Sequence, residues 1–207
     1  MDIIDAVFLI AVIIMSAVIH EVMHGVAADK LGDPTARYAG RLTLNPIPHL
    51  DMFGSILLPI ILAFTNAGFL FAWAKPVPYN PYNLRAKHWG EAIVAGAGPA
   101  SNLVIALIGG LLLQSGLVAE IGDVVFLIVV VNVMLFIFNL IPIPPLDGSK
   151  VLEALLPGPL ASGYREWRSR MEMNPFLGLG LVLIFVFMFG GQLSAFVYGI
   201  AQGISGI

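Results

Sequence analysis

The chain has 207 residues, 58% of them hydrophobic and 11% charged, with mean hydropathy +0.92 and a formal net charge of −3. Soluble domains carry about 25% charged residues, so this composition excludes an ordinary water-soluble enzyme, and without a basic excess there is no footprint for nucleic acid. There is no cysteine, which excludes disulfides, thiolate metal ligands and a cysteine nucleophile.

Uncharged runs cover 6–20, 52–74, 92–119, 124–146 and 173–207. A membrane-spanning helix needs about 20 apolar residues, and four of these runs are long enough alone. The first becomes so if helix continues past Glu21 towards Leu31. Asp2 and Asp5 open the chain with no basic region and no small-residue cleavage site, so this run reads as a retained span and not a signal peptide.

In chain order, the first segment predicts a helix from about Ile3 to Leu31. The stretch GDPTARYAGRLTLNPIPHLD, 32–51, predicts turn and strand from its Gly, Pro and Asn content and the alternation in YAGRLTL. Segment two, 52–74, is broken by Gly54, Pro59 and Gly68. The proline-rich AWAKPVPYNPYNLR, 72–85, reads as extended chain. Segment three runs from about Gly90 to Ala119, and segment four from about Asp123 to Ile141, where PIPP stops it. A short helix is expected over 148–155, and segment five over 175–204. The polar stretch 147–172 is too short for a further domain.

The basic residues constrain topology. They lie in 28–51 (Lys30, Arg37, Arg41), in 75–91 (Lys75, Arg85, Lys87) and in 142–175 (Lys150, Arg165, Arg168, Arg170). If segment two enters and returns to the same face, all ten share one side. If it crosses once, they divide three against seven. The positive-inside rule favours the first arrangement, with that side cytoplasmic and the N-terminus outside. Re-entrant backbone of this kind is tolerated only where protein or a wet cavity shields it. The reading is therefore an all-α polytopic protein of the cell membrane: four to five hydrophobic helices, a re-entrant segment and short membrane-associated β-strands. It forms a single domain over 1–207, with a catalytic core over about 1–155 and a C-terminal helix over 175–204.

Within the first segment stands AVIHEVMHGVA, 17–27. Residues four apart share a helix face, so His20 and His24 present two imidazoles together and Glu21 lies beside them. This is the H-E-x-x-H zinc signature. Neutral imidazole binds zinc without adding charge, a zinc-activated water can attack a carbonyl, and the glutamate can take its proton and deliver it to the leaving amine. A lone histidine on an apolar face is commonly a packed core residue. Three ionisable groups inside a membrane segment are costly and point to function.

A catalytic zinc wants a third protein ligand and an open position. His49, Asp51, His88 and Asp147 are the candidates. His88, beside Lys87, reads as solvated. Asp147 could instead be a helix N-cap before Ser149. With segment two returning, Asp147 falls at the same face as the end of segment one, and this favours it.

These motifs resemble the site-2 proteases, a family of intramembrane zinc metallopeptidases. HEVMH at 20–24 is similar to the family's membrane HExxH. NLIPIPPLDG at 139–148 resembles its N-x-x-P-x-x-x-L-D-G motif, which implies Asp147 as the aspartate ligand. AGPASN at 97–102 resembles its G-P-x-x-N element, which implies a polar active-site role for Asn102. GRLTLNPIPHLDMFGS at 40–55 and AWAKPVPYNPYNLR resemble the small prokaryotic-type members, although the family often has proline where Met52 stands. No segment has room for a PDZ-like or CBS domain. The resemblance implies one Zn2+ per chain, hydrolysis within or near transmembrane segments of membrane-protein substrates, and a lipid bilayer as surroundings.

Read without the family, Asn102 is either an interhelical hydrogen-bonding residue or a donor to the scissile carbonyl or oxyanion. Asn139 could satisfy carbonyls freed by Pro142, and Asn132 reads as structural. Gly178, Gly180, Gly190 and Gly191 read as small residues for helix packing. Proteolysis needs an extended substrate, so the strand-like pieces 38–45 and 71–78 are candidate edges for strand addition, near Leu44 and Val77. A metal-ion transporter or an inactive membrane scaffold are the alternatives. The first expects polar residues spread through the other segments, and the intact HExxH argues against the second.

Overall fold

The computed structural model describes residues 3–57, 61 and 74–207. They belong to two compact units, Met1–Arg85 and Ala86–Ile207.

In the first unit, α1 runs Ile3–Lys30. Asp5 in its first turn and Lys30 in its last complement the helix dipole. It ends in a Schellman motif: Asp33 N–H donates to Ala28 O and Gly32 N–H to Asp29 O, with Gly32 at φ 105°, a conformation glycine adopts without strain. A short α2, Thr35–Tyr38, follows. A 3-10 turn over Ile47–His49 leads to a π-type helical stretch over Met52–Leu57. Residues 74–85 then run back along α1. Arg85 N–H donates to Leu31 O, and Asn80 N–H and Asn83 Nδ2 donate to Asp33. Further back along the helix, Val77 reaches Glu21.

The expected strands do not form, and no strand occurs among the described residues. Over 38–45 the chain finishes α2 and turns at Gly40, φ 65°. Over 74–80 it is extended but unladdered. Pro76 and Pro78 have no N–H to give. Lys75 N–H goes to the isolated carbonyl of His49, and Val77 N–H goes to a side chain. The proposed re-entrant segment, 52–74, lies largely outside the described residues, and the described part gives it no support.

In the second unit, α3 is Gly90–Gln114, α4 is Gly122–Asn139, α5 is Asp147–Leu155, α6 is Gly158–Met173 and α7 is Pro175–Ser205. Gln114 Nε2 donates to Ile204 O, so the ends of α3 and α7 lie together, and α4 packs against both. Ala106, Val129, Val133, Val197 and Ala201 form the core of these three helices. A Cβ on Gly110 would collide with Ile204, and one on Gly109 with Val129, so these glycines allow the close helix approach typical of membranes. Of the glycines the sequence suggested for packing, Gly178 does meet Pro144 and Pro145. A Cβ on Gly180 or Gly191 would meet no side chain or other element within 4 Å among the described residues, and one on Gly190 would meet only Val186 of its own helix.

Among the described residues, four helices are long and apolar enough to cross a membrane: Val7–Lys30, Gly90–Gln114, Ala119–Asn139 and Phe176–Ser205. Large apolar side chains stand exposed along α7, Phe187 and Phe176 among them. Such a surface suits lipid and not water. The helix α6 is an addition to the sequence reading.

Candidate metal centre

His20 and His24 lie one turn apart on α1 and are both buried, at 6% and 9% exposure. Their rings meet edge to face with centroids 4.6 Å apart. Their ligating nitrogens lie within 4.8 Å of each other. Two neighbouring imidazoles in a dry setting are a donor pair that fits zinc.

Glu21 is half-buried beside them. Its Oε2 accepts a hydrogen bond from Val77 N–H at 2.9 Å. The side chain of Val77, itself 5% exposed, packs over Gly25, where a Cβ would come within 2.9 Å of Val77 Cγ1 and 2.6 Å of Leu42 Cδ2. The absence of a side chain at Gly25 thus lets 74–80 lie close enough for its amide to reach the carboxylate. In the sequence Val77 stands on a candidate substrate edge. Its N–H is instead committed to Glu21, and that link, 56 residues long in sequence, has no sequence signal. Leu44 is exposed in a turn.

Asp147 belongs to the second unit. Leu146 occupies the capping position and Asp147 is the first residue of α5, so the N-cap role does not fall to it. A Cβ on Gly148 would collide with the carbonyl oxygen of Leu140, so the chain closes back on the end of α4 only with glycine after the aspartate. Ser149 Oγ donates to Leu146 O at 2.7 Å, fixing the same turn.

The other candidates are engaged elsewhere. His49 is buried, with Nε2 at 3.0 Å from Thr43 O. Asp51 Oδ1 accepts from Gly54 N–H at 2.7 Å. His88 is exposed, its ring edge-on to Trp89. Asn102 and Asn132 are wholly buried, and Asn102 Nδ2 donates to Asn132 Oδ1 at 2.9 Å, an interhelical bond between α3 and α4. Asn139 Nδ2 donates to Leu135 O within α4.

Asp33, outside the apolar spans, is fully buried. Burial raises its carboxyl, but hydrogen bonds from the side chains of Thr35 and Asn83 and the backbones of Asn80 and Thr35 outweigh this and hold it below the ordinary carboxylate value. It ties the end of α1 to the segment carrying Val77.

The family model for Peptidase family M50 matches residues 114–179, which include Asp147 but not the HEVMH stretch. The chain is 34% identical over 200 residues to the "Putative zinc metalloprotease YwhC" of Bacillus subtilis (strain 168), covering 92% of this chain and 83% of the relative. It is also 34% identical over 160 residues to the "Putative zinc metalloprotease Rip2" of Mycolicibacterium smegmatis, covering 71% of this chain and 56% of that one. No solved structure matches.

Proposed function

The chain belongs to Peptidase family M50 and is a zinc metalloprotease; from that premise we propose that it is an intramembrane endopeptidase cutting peptide bonds in or near transmembrane segments of membrane-protein substrates. The observation that carries this reading is the buried His20–His24 pair with Glu21 beside it, all on a helix of membrane-spanning length.

His20 and His24 would hold the ion, with Asp147 as the third ligand. The reason for Asp147 is its motif, NLIPIPPLDG, within the stretch that matches the family. Zinc, when bound, supplies Lewis acidity that polarises a carbonyl and brings the pKa of water towards neutrality. Glu21 takes the proton of the attacking water and passes it to the leaving amine. The Val77 amide holds one carboxylate oxygen, so the other faces the proton with little conformational freedom to lose. Asn102 is the candidate donor to the developing oxyanion. That role competes with its bond to Asn132, and an Asn102→Ala variant that loses stability but keeps kcat would assign it to helix packing alone. In this reading the basic loops face the cytoplasm and the N-terminus lies outside.

The test is reconstitution of the full chain in proteoliposomes with a generic transmembrane substrate. About one zinc per chain and chelator-sensitive cleavage are expected. Bound metal with no cleavage would indicate a scaffold, and metal-ion flux without cleavage a transporter. Either result would overturn the proposal.

A further inference from the structure

Lys75 stands in the extended chain 74–80 with its side chain in the open and both of its backbone polar groups engaged. Its N–H donates to His49 O at 2.8 Å, and its carbonyl accepts from Arg41 Nη2 at 2.6 Å. The two partners belong to one loop, which His49 closes by placing Nε2 3.0 Å from Thr43 O. The loop is anchored in turn. Arg41 N–H donates to Ala36 O of α2, and Ala36, Leu42 and Val77 converge on the surface of α1 left open by Gly25, next to His24.

Arg41 is the unusual member of this cluster. It is 7% exposed, yet no carboxylate pairs with it among the described residues, and its Nε has no hydrogen-bond partner there. A buried guanidinium without a counter-charge is costly, and this one is spent on a single backbone carbonyl. The bond is charge-assisted, about twice as strong as a neutral one, and no carboxylate competes for it. In extended chain the N–H groups of residues two apart point to the same side. The hold on Lys75 therefore aims the N–H of Val77, which donates to Glu21 at 2.9 Å. Only Pro76 lies between, and its ring locks one of the intervening torsions. Pro76 and Pro78 have no N–H, so no other amide within 76–78 can replace that of Val77.

We propose that Arg41 is a positioning residue for peptide hydrolysis: its grip on the Lys75 carbonyl keeps the Val77 amide on Glu21 and so holds the carboxylate in the orientation that takes the proton. This role rests on Glu21 being the general base of the proposed reaction. Because Nη2 alone is engaged, one well-placed donor suffices for it.

The experiment uses the full chain and two readouts. The first needs neither zinc nor substrate: hydrogen exchange of the Val77 amide, followed by NMR on metal-free protein in detergent micelles. Arg41→Met should speed it by about tenfold, the local protection given by one charge-assisted hydrogen bond. The Asn80 amide, held by Asp33, should exchange as in the wild type, which verifies that the fold is intact. The second readout is cleavage in proteoliposomes. Arg41→Met should lower kcat about 10–100-fold, the range for losing a supporting hydrogen bond, with KM and zinc content unchanged. Arg41→Lys should restore most of the rate. Adding Arg41→Met to Val77→Pro should cost little more, because the amide is already gone, whereas an arginine needed only for folding would give losses that multiply. Should Arg41→Met fail to fold, Arg41→Gln, whose neutral and shorter side chain ends short of the carbonyl, takes its place with the same expectations. With an active wild type, unchanged Val77 exchange, full kcat in Arg41→Met, or independent losses in the double variant would overturn the positioning role alone. A wild-type chain that binds zinc and cleaves nothing overturns the proteolytic reading, and the role of Arg41 in it, even where exchange reports the clamp.

Discussion

Glu21 and its two neighbours have separable jobs, and substitution should separate them. Glu21→Gln keeps the size and the contact with Val77 but cannot accept the proton. Zinc content measured by mass spectrometry should stay near one per chain while kcat falls by at least about 10²–10⁴-fold, the usual contribution of a general base. His24→Ala should lose the metal as well as the activity. The Val77 amide is a finer case. Val77→Pro removes the N–H while keeping extended backbone, and loss of such a supporting hydrogen bond typically costs about 10–100-fold. A fall in kcat with zinc and KM unchanged is expected, whereas Val77→Thr should be nearly silent. Asp33 gives a test that does not involve the metal. Its folded value lies below the ordinary 3.8, so its contribution is fully present above that value and is lost as pH falls through the folded one. Asp33→Asn should therefore lower Tm at pH 7, by the equivalent of about 1.5–3 kcal/mol for a charged hydrogen bond lost. The gap should close in acid, as a series of melts would show.

At the scale of elements, the sequence places the long helices well because uncharged runs bounded by Pro, Gly or charge leave little choice. The uncharged runs predict segment one over 3–31, where the helix is Ile3–Lys30, and segment five over 175–204, where it is Pro175–Ser205. The helix α6 escaped because its composition is polar. Its signal was the placement of charges: Arg168 and Glu172, and Glu166 and Arg170, pair four residues apart behind a Pro at the first turn. Of the glycines expected to pack, Gly178 does, whereas Gly180, Gly190 and Gly191 meet no other element among the described residues, and the reason is a different one. In helices apolar all round, the sequence does not say which side meets protein and which meets lipid, so Gly109 and Gly110 could not be told from Gly190 and Gly191. The strands failed because local alternation says nothing about a partner. In the candidate site, the HEVMH spacing was legible since a helix fixes it locally, whereas the clasp of Val77 on Glu21 depends on a chain return that no local pattern encodes. Gly148 is the element-scale prediction. Gly148→Ala forces α5 away from the carbonyl of Leu140, and overpacking of this kind costs about 1–3 kcal/mol. If Asp147 is a zinc ligand, that shift should also weaken zinc retention under chelator challenge, while a Gly163→Ala control, at a position with open space around it, should do neither.

At the scale of the whole molecule, the arrangement of the chain across the bilayer and the identity of the third ligand are one question. His20 and His24 lie towards the end of the first span, and Asp147 follows the end of α4. Counting spans, these ends reach the same face only if 52–74 returns to the side it left. One crossing would put them on opposite faces and exclude Asp147 as a ligand. The ten basic residues fall on one side only in the first case, which is the arrangement charge bias favours. The chain has no cysteine, so single cysteines report position without background. Tyr38, Tyr82, Met173 and Leu117 are all strongly exposed, and each tolerates a small side chain. In sealed vesicles treated with a membrane-impermeant maleimide, Tyr38→Cys, Tyr82→Cys and Met173→Cys should share one accessibility, and Leu117→Cys should show the opposite one. The comparison of Tyr38→Cys with Tyr82→Cys is decisive, because only 52–74 and the extended chain after it separate them in a way that can change sides. Should Tyr38→Cys label with Leu117→Cys instead, the returning segment and Asp147 fall together, and the third ligand must come from α1's own side. If Tyr38→Cys and Tyr82→Cys label alike, the same measurement that fixes topology makes Asp147 available to the histidine pair, and its Ala variant becomes the next test of zinc binding.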